Sequence, residues 1–218
     1  MNRDHKKVAD LREDYRLQTL EIQEVHAHPF HQFQQWFNDA LRSNLKEPNV
    51  MTLATASASG IPSARIVLLK GYSEKGFLFY TNYNSRKGKE LLENPNAALV
   101  FCWLELERQI RIEGKVSQLS PEASTQYFQS RPKGSQIGAW ASPQSEVIED
   151  RNLLEENVVI LNEKYAEEDT LPRPEHWGGF LIEPTMVEFW QGRSSRLHDR
   201  IRYVQLEGGS WKVDRLAP

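Results

Sequence analysis

VMTLATASASGIPSARIVLL, residues 50–69, has the composition of two β-strands joined by a turn. Both of its ends are rich in β-branched and apolar residues, and Ser59-Gly60-Ile61-Pro62 between them is a turn signal. The pattern therefore predicts a hairpin with strands at 50–56 and 64–69. Further runs of strand-like composition follow at 76–81, 97–104 and 108–119.

Helices are expected around these strands. Pro29 opens a stretch that ends before Pro48 and has an apolar residue at each turn, and proline suits the first turn of a helix. The predicted buried face consists of Phe30, Phe33, Phe37 and Leu41. Shorter helices are predicted at 85–93 and 120–130. The acidic segment 146–175 also has a helical apolar face, and we expect its acidic side to be solvated.

The C-terminal part returns to strands, at 177–190 and 201–213, with Glu207-Gly208-Gly209-Ser210 as a hairpin turn. At least six strands with few long helices indicate a mainly β (α+β) protein, an antiparallel barrel with surrounding helices. We predict an N-terminal arm at 1–28 and a single domain at 29–218.

Composition excludes several classes of function. The net charge of −3 gives no overall field for nucleic acid or an anionic membrane, so neither is an expected partner. Cys102 is the only cysteine, which excludes an internal disulfide, and we predict no metal site. Because Cys102 lies in the apolar run 97–104, we expect a buried small side chain rather than a reactive thiol. The charged N-terminus shows no apolar signal segment, so the expected compartment is the cytoplasm.

The first candidate anion site is a basic cluster at residues 65–89, which holds six cations and the acid Glu74. Ser85-Arg86-Lys87-Gly88 begins a predicted helix, where free N–H groups favour an anion. Arg65 and Lys70 are five positions apart, which predicts opposite faces of a regular strand and different anions. The alternative is a solvated basic edge.

The second cluster consists of Tyr127, Arg131, Lys133 and Ser135, at the end of a predicted helix and in the loop after it. A guanidinium, an ammonium and hydroxyls together suit a phosphate monoester. Basic residues at a helix C-terminus are also common for dipole reasons alone.

The third cluster spans Trp190 to Arg200. Arg196 and His198 are two positions apart, so in an extended segment they would face one pocket and could polarise an anionic or phenolic substrate. The alternative is a structural His198 that pairs with Asp199 or the backbone.

At these residues the sequence resembles the pyridoxamine 5′-phosphate oxidase family, from about residue 11 to the C-terminus. The matching segments are Arg65-Ile66-Val67-Leu68-Leu69-Lys70, Phe79-Tyr80-Thr81-Asn82, Ser85-Arg86-Lys87, Glu107-Arg108-Gln109, Ser130-Arg131-Pro132, Ser135-Gln136-Ile137-Gly138-Ala139-Trp140, Glu188-Phe189-Trp190-Gln191-Gly192, Arg196-Leu197-His198-Asp199-Arg200 and Asp214-Arg215-Leu216-Ala217-Pro218.

The resemblance implies an FMN-binding split β-barrel and a homodimer with FMN at the subunit interface. It implies oxidation of pyridoxamine 5′-phosphate and pyridoxine 5′-phosphate to pyridoxal 5′-phosphate, with O₂ as acceptor and H₂O₂, plus NH₃ from the amine, as by-products. The rival functions are another split-barrel flavin reductase, a non-catalytic FMN or pyridoxal phosphate carrier, and a barrel that binds single-stranded nucleic acid.

The resemblance also implies site residues. Arg196 and His198 would be catalytic and would face the substrate ring. The cofactor contacts would be Arg65, Ile66, Val67, Leu68, Leu69, Lys70, Tyr80, Thr81, Arg86, Lys87, Gln109, Gln144, Ser145, Trp190 and Arg200. The substrate phosphate would be held by Lys70, Tyr127, Arg131 and Ser135. Arg12 and Tyr15 look like the family's lid over the substrate.

Overall fold

The computed structural model describes residues 8, 10, 11 and 13–218. Its helices are α1 (Pro29–Arg42), α2 (Arg86–Glu93), α3 (Pro121–Gln129), α4 (Lys133–Ala141) and α5 (Asn152–Lys164). Its strands are β1 (Val50–Ala56), β2 (Pro62–Leu68), β3 (Gly71–Ser73), β4 (Gly76–Asn82), β5 (Asn96–Trp103), β6 (Arg108–Gln118), β7 (Trp177–Gln191), β8 (Asp199–Gln205) and β9 (Trp211–Leu216). Short 3₁₀ turns lie at Leu104–Leu106 and Ser194–Arg196.

All nine strands belong to one sheet. Its order is β2-β1-β5-β6-β7-β4-β3, and β8 pairs with both β7 and β9. The pairs β1–β2, β3–β4, β4–β7, β7–β8 and β8–β9 are antiparallel. The predicted hairpin at 50–69 is therefore present, with Leu53 opposite Arg65.

The chain divides into two compact units. The first consists of residues 1–48, 100–112 and 186–218, and the second of 49–99 and 113–185. The strands β5, β6 and β7 contribute residues to both units. The prediction of a single domain at 29–218 stays a prediction.

The first unit packs α1 against aromatic residues of β5 and β7. Trp36 meets Phe189 edge-on at 5.2 Å between ring centroids, and Phe33 meets Phe101 at 5.3 Å. The guanidinium of the buried Arg108 lies 4.3 Å from the ring centroid of Trp36 and donates to Asp39 at 2.9 Å. A cation can be buried here because its donors find acceptors.

The second unit has two groups of buried apolar residues. One lies between strands and α2 and contains Met51, Leu53, Phe77, Phe79, Leu91, Leu99, Phe180 and Ile182. The other lies among α3, α4 and the start of β7 and contains Phe128, Ile137, Tyr165, Leu171 and Trp177. Gly88 is required in α2, because a Cβ there would lie 2.2 Å from the Tyr83 carbonyl oxygen.

Four sequence predictions were wrong in detail. The buried face of α1 uses Trp36 and Ala40, whereas Leu41 is exposed. Cys102 is exposed, because strand alternation buries its neighbours Phe101 and Trp103 and turns position 102 outward.

The third error is α4, which occupies residues 133–141 where a loop was expected. The fourth is the acidic segment, in which the helix spans only Asn152–Lys164 and Val147 is fully exposed. Among the described residues, no helix is long and apolar enough to cross a membrane.

Candidate active site

A cavity of about 470 Å³ in the second unit collects most of the predicted ligand-binding residues of that unit. Among the residues that the structure describes, its lining includes Lys70, Lys87 and Arg131 but no carboxylate. The full lining is Ile66, Val67, Leu68, Lys70, Tyr80, Thr81, Asn82, Lys87, Tyr127, Arg131, Ser135, Gly138, Ala139, Ser142, Gln144 and Trp177. Three cations without a counter-charge make this cavity suited to an anionic ligand.

Several secondary structure elements carry these side chains to the cavity. The residues Ile66, Val67 and Leu68 come from the end of β2, and Lys70 lies two positions after that strand. Strand β4 supplies Tyr80 and Thr81, and α2 supplies Lys87 from its first turn. The residues of the second basic cluster lie at the end of α3, in the short loop after it and at the start of α4.

Three stacked aromatic rings form one wall of the cavity. Tyr80 and Tyr127 stack at 3.8 Å between ring centroids, and Tyr80 stacks on Trp177 at 5.5 Å. The guanidinium carbon of Arg131 lies 4.6 Å from the Trp177 ring centroid. Burial lowers the pKa of Arg131, and burial raises the pKa of Tyr127.

Arg131 has an unused donor. Its Nη1 atom is buried and has no hydrogen-bond partner within the described chain. A buried cationic donor without an acceptor is costly, so this atom is suited to donate a hydrogen bond to an acceptor on a ligand. Lys133, which the sequence grouped with Arg131, points elsewhere: its Nζ donates to the carbonyls of Tyr165 and Ala166 at 2.8 and 3.2 Å.

Lys87 is the second notable cation. Its Nζ donates to Gln144 Oε1 at 3.1 Å and to Ser85 Oγ at 3.2 Å, and Thr81 donates to the same Gln144 oxygen. Burial and, secondarily, the nearby Arg65 lower the pKa of Lys87 to about 8. An anion bound beside Lys87 would stabilise its charged form.

Arg65 and Arg86 are both held by one buried carboxylate, that of Glu90. Arg65 Nη2 lies 3.3 Å from Glu90 Oε2, and Arg86 Nε lies 2.9 Å from Glu90 Oε1.

Arg86 and Ser145 line a neighbouring cavity of about 380 Å³. Ser145 has a left-handed backbone, with φ 75°. Leu69 is buried, and its N–H donates to the Asn49 carbonyl at 2.9 Å.

The remaining described site residues lie in the first unit. Trp190 and His198 pack at 4.5 Å between ring centroids, and Tyr15 meets Trp190 edge-on at 5.9 Å. Gln109 lines a small cavity of about 140 Å³ with Tyr15 and Trp190. Arg200, opposite Trp190 in the sheet, forms a two-pronged ion pair with the buried Glu188 at 2.7 and 3.1 Å. Arg12 lies outside the described residues.

The segment before β8 is not extended, contrary to the sequence prediction. Ser194–Arg196 forms a 3₁₀ turn in which Ser195 and Arg196 have φ of 58° and 62°. Consecutive left-handed residues with side chains are strained, and such strain is concentrated at functional sites. Arg196 is exposed and forms no ion pair with any residue that the structure describes.

His198 has a defined hydrogen-bonding state. Its Nδ1 accepts from the backbone N–H of Arg193 at 3.1 Å. Burial and then the charge of Arg196 lower its pKa from the ordinary value of 6.5, so the ring is neutral at pH 7. A neutral ring that accepts at Nδ1 carries its proton at Nε2, which is therefore a donor. Of the two structural partners considered for His198, the contacts show the backbone, through the Arg193 N–H, and not Asp199, which accepts from Arg193, Arg215 and the Leu20 N–H.

Sequence reasoning missed Trp177, Asn82 and Glu90. Trp177 begins β7 directly after a loop, and an aromatic residue at such a junction could have marked a ligand wall. Glu90 lies one residue beyond the basic segment 65–89 and four after Arg86, a spacing that predicts an ion pair on a helix.

A mainly antiparallel β fold with a cation-lined cavity free of carboxylates is typical of a protein that binds a small phosphorylated molecule. Residues 37–162 match the family model described as pyridoxamine 5′-phosphate oxidase, and residues 177–218 match that of the pyridoxine 5′-phosphate oxidase C-terminal dimerisation region. The chain belongs to the pyridoxamine 5′-phosphate oxidase family, which confirms the predicted family.

Curated relatives agree over nearly the whole chain. A pyridoxine/pyridoxamine 5′-phosphate oxidase of Nostoc punctiforme is 59% identical, covering 98% of this chain and 99% of its own. The protein of that name from Salinibacter ruber is 56% identical, covering 97% and 99%.

Solved structures confirm the predicted fold class, the split barrel with flanking helices. PhzG from Burkholderia lata, in complex with tetrahydrophenazine-1-carboxylic acid, is 30% identical with a TM-score of 0.87, covering 94% of this chain and 100% of its own. A pyridoxamine 5′-phosphate oxidase-related, FMN-binding protein from Nostoc punctiforme is 17% identical with a TM-score of 0.69, covering 89% and 99%. The second similarity is one of fold alone.

Proposed function

We propose that the protein is an FMN-dependent oxidase that converts pyridoxamine 5′-phosphate and pyridoxine 5′-phosphate to pyridoxal 5′-phosphate. O₂ is the electron acceptor, H₂O₂ is the by-product, and the amine also releases NH₃. The enzyme acts as a homodimer with FMN at the subunit interface, and the match of residues 177–218 to a dimerisation region supports this assembly.

The proposal rests chiefly on the buried Nη1 of Arg131, which has no hydrogen-bond partner among the described residues. It lies in a cavity with the Lys70 ammonium and the hydroxyls of Tyr127 and Ser135. A phosphomonoester offers the acceptors that this donor set lacks. We assign these four residues to the substrate phosphate.

The chemistry of a second donor set fits the phosphate of FMN. Lys87 has no carboxylate partner within the described chain and is partly desolvated, and Arg65 and Arg86 share the single carboxylate of Glu90. We assign Arg65, Arg86 and Lys87 chiefly to this phosphate. The remaining cofactor contacts are proposed to be Ile66, Val67, Leu68, Leu69, Lys70, Tyr80, Thr81, Gln109, Gln144, Ser145, Trp190 and Arg200.

Bound FMN would supply the redox chemistry, accepting a hydride from the C4′ carbon of the substrate and passing the electrons to O₂. The protein's part is to orient the substrate and set the charge around it. His198, neutral with its proton at Nε2, donates a hydrogen bond to the phenolic oxygen of the substrate ring. Arg196, which lies in a strained turn and has no ion pair among the described residues, positions the reacting end and stabilises charge.

Arg12 and Tyr15 are proposed to cover the substrate. Tyr15 packs so closely on Gly192 that a Cβ there would lie 2.7 Å from its ring. Tyr15 also lies 6.1 Å from the His198 ring centroid. The segment after it is attached by hydrogen bonds from the Leu17 N–H to Glu107 and from the Leu20 N–H to Asp199.

A direct assay tests the proposal. The purified protein should have a flavin absorption spectrum or acquire one with added FMN, and should elute as a dimer. Pyridoxamine 5′-phosphate added in air should yield aldehyde and H₂O₂ in equal amounts. Oxidation of a reduced nicotinamide dinucleotide without formation of aldehyde would indicate a flavin reductase. FMN binding without formation of H₂O₂ would indicate a carrier. A dimer that takes up no FMN would refute the proposal.

A second candidate substrate class comes from the similarity to PhzG, whose structure contains a tricyclic carboxylic acid. A carboxylate could also pair with Arg131, but the relatives at 55–59% identity carry the vitamin B6 oxidase name. Turnover of tetrahydrophenazine-1-carboxylic acid in preference to the phosphorylated substrates would favour this alternative.

We expect FMN affinity to fall as the pH rises above about 8, because in the empty site the pKa of Lys87 is lowered to about 8. Above that pH the empty site has lost the proton that the phosphate complex keeps, so binding must take up a proton. The limit of this effect is about tenfold in Kd per pH unit. The phosphate of FMN is fully ionised in this range, since its second pKa is about 6. Titration of FMN fluorescence from pH 7 to 9.5 measures the slope.

Lys87→Arg is the matched control, because arginine stays charged throughout this range. Its FMN affinity should be nearly independent of pH. Riboflavin, which lacks the phosphate, should show no slope with either protein. A wild-type slope that persists in Lys87→Arg would assign the titration to another group.

A further inference from the structure

We infer that Glu90 is a positioning residue for the FMN phosphate site, an inference that rests on the proposed function. Glu90 lies on α2, and Thr55, Ser63 and Arg65 face it from the hairpin of β1 and β2. Its side chain is only 8% exposed, yet it is surrounded by donors. These contacts all lie within the second unit.

Both carboxylate oxygens of Glu90 are used. Oε2 accepts from Thr55 Oγ1 at 2.5 Å, from Ser63 Oγ at 2.6 Å and from Arg65 Nη2 at 3.3 Å. Oε1 accepts from Arg86 Nε at 2.9 Å. Burial alone would raise the pKa of Glu90, but the hydrogen bonds from Ser63, Thr55 and Arg86 outweigh it and lower the pKa to about 2. Glu90 is therefore charged at neutral pH.

The same contacts fix the orientation of Arg65. Its Nη1 donates to the Leu53 carbonyl at 3.3 Å and to Thr55 Oγ1 at 2.5 Å, and its Nη2 donates to Ser63 as well as to Glu90. Thr55 and Ser63 each contact both ends of the ion pair, so Glu90 closes a ring of hydrogen bonds around the guanidinium. The side chain of Arg86 is 62% exposed, and its ion pair with Glu90 Oε1 restricts its orientation.

The charges around Glu90 suit a dianion. Arg65, Arg86 and Lys87 contribute three positive charges and Glu90 one negative charge, which leaves a balance of plus two. Glu90 cannot itself contact a phosphate favourably, since like charges repel. Its contribution is to hold two guanidinium groups in place, which lowers the entropy cost of closing them on a ligand.

This role has an unusual consequence, because removing Glu90 makes the site more positive. Attraction between charges alone predicts that Glu90→Leu binds FMN more tightly. Loss of positioning predicts weaker binding, and we expect Kd for FMN to rise about tenfold. Riboflavin lacks the phosphate, so its Kd should stay within about twofold, and the ratio of the two affinities separates positioning from a general structural defect.

Two further variants make the test specific. Glu90→Gln keeps one acceptor oxygen but presents an NH₂ group on its other side, so it should recover part of the lost FMN affinity. Glu156→Gln removes an exposed carboxylate from α5 and should bind FMN like wild type. FMN and riboflavin titrations at pH 7 and thermal melts of all four proteins provide the comparison.

The outcomes are distinguishable. If the wild-type protein binds FMN and Glu90→Leu binds it equally tightly or more tightly, the inference is overturned and the proposed function stays intact. Equal loss of FMN and riboflavin affinity would also overturn it, because that result indicates general structural damage. If Glu90→Leu does not fold, Glu90→Gln decides, and a wild-type ratio of FMN to riboflavin affinity would be contrary to the inference. Failure of the wild-type protein to bind FMN would remove both proposals.

Discussion

Replacement of Arg196 by alanine is expected to lower kcat for pyridoxamine 5′-phosphate by roughly a hundredfold or more, within the range typical of a lost catalytic group. Arg196 is exposed, has φ 62°, and forms no ion pair with any described residue. An exposed cation on a strained backbone, without an ion pair among the described residues, is consistent with the role proposed for Arg196 at the substrate. Stopped-flow measurement of flavin reduction would isolate this step from the later reaction with O₂.

The variant should remain yellow. No cofactor contact is proposed for Arg196, so FMN affinity should stay within about twofold of wild type, far less than the loss of a charged contact would cause. Leu197→Ala is the control in the same turn, since Leu197 is exposed and uncharged. Arg196→Lys keeps the charge without the planar fork and should be intermediate. Wild-type turnover in Arg196→Ala would remove Arg196 from the mechanism.

Most strands were predictable from sequence because their signals are local, whereas the three-residue β3 was not predicted. Two β-branched runs around a Gly-Ile-Pro turn predict the hairpin at 50–69, and β1 begins and ends as predicted. The Glu207–Ser210 turn is equally local, and Gly208 and Gly209 have φ of 94° and 85°. Such positions constrain only a few residues on either side of them.

The errors occur where contacts between residues distant in sequence determine the local structure. Pro132 and Gly134 indicated a loop, but α4 begins there because Ile137 and Ala141 are buried against neighbouring elements. The 3₁₀ turn at Ser194–Arg196 has no composition that favours left-handed residues, so no local rule could have found it. It is accompanied by contacts that are distant in sequence, such as the bond from Ser194 Oγ to the Tyr15 carbonyl.

The candidate site was predictable in its residue types but not in its pairings. Basic clusters in the sequence indicate anion sites, yet they do not distinguish Arg131, which keeps a free donor, from Lys133, which is bonded to backbone carbonyls. Likewise, Arg65 and Lys87 were indistinguishable as cations, whereas only Arg65 has a carboxylate partner among the described residues. Such differences depend on which side chains meet in three dimensions.

That difference between Arg131 and Lys133 gives the second large expected effect. Arg131→Ala should raise KM for pyridoxamine 5′-phosphate about ten- to hundredfold, because a lost hydrogen bond to a charged group is worth about 1.5–3 kcal/mol. The desolvation of Arg131 is already present in the folded protein, as the lowered pKa of its guanidinium indicates. The phosphate therefore gains a cation that needs little further dehydration. Steady-state kinetics at saturating FMN measure the change.

Lys133→Ala is the matched control, two positions further along the chain. It removes the same charge, but Lys133 donates to the carbonyls of Tyr165 and Ala166 and does not line the cavity. Its KM should be that of wild type, with a modest loss of thermal stability. Pyridoxamine without the phosphate should react equally poorly with wild type and Arg131→Ala, since the contact under test is absent from both reactions. Loss of FMN from Arg131→Ala with an unchanged KM would move Arg131 to the cofactor, and the division into two phosphate sites would then be wrong.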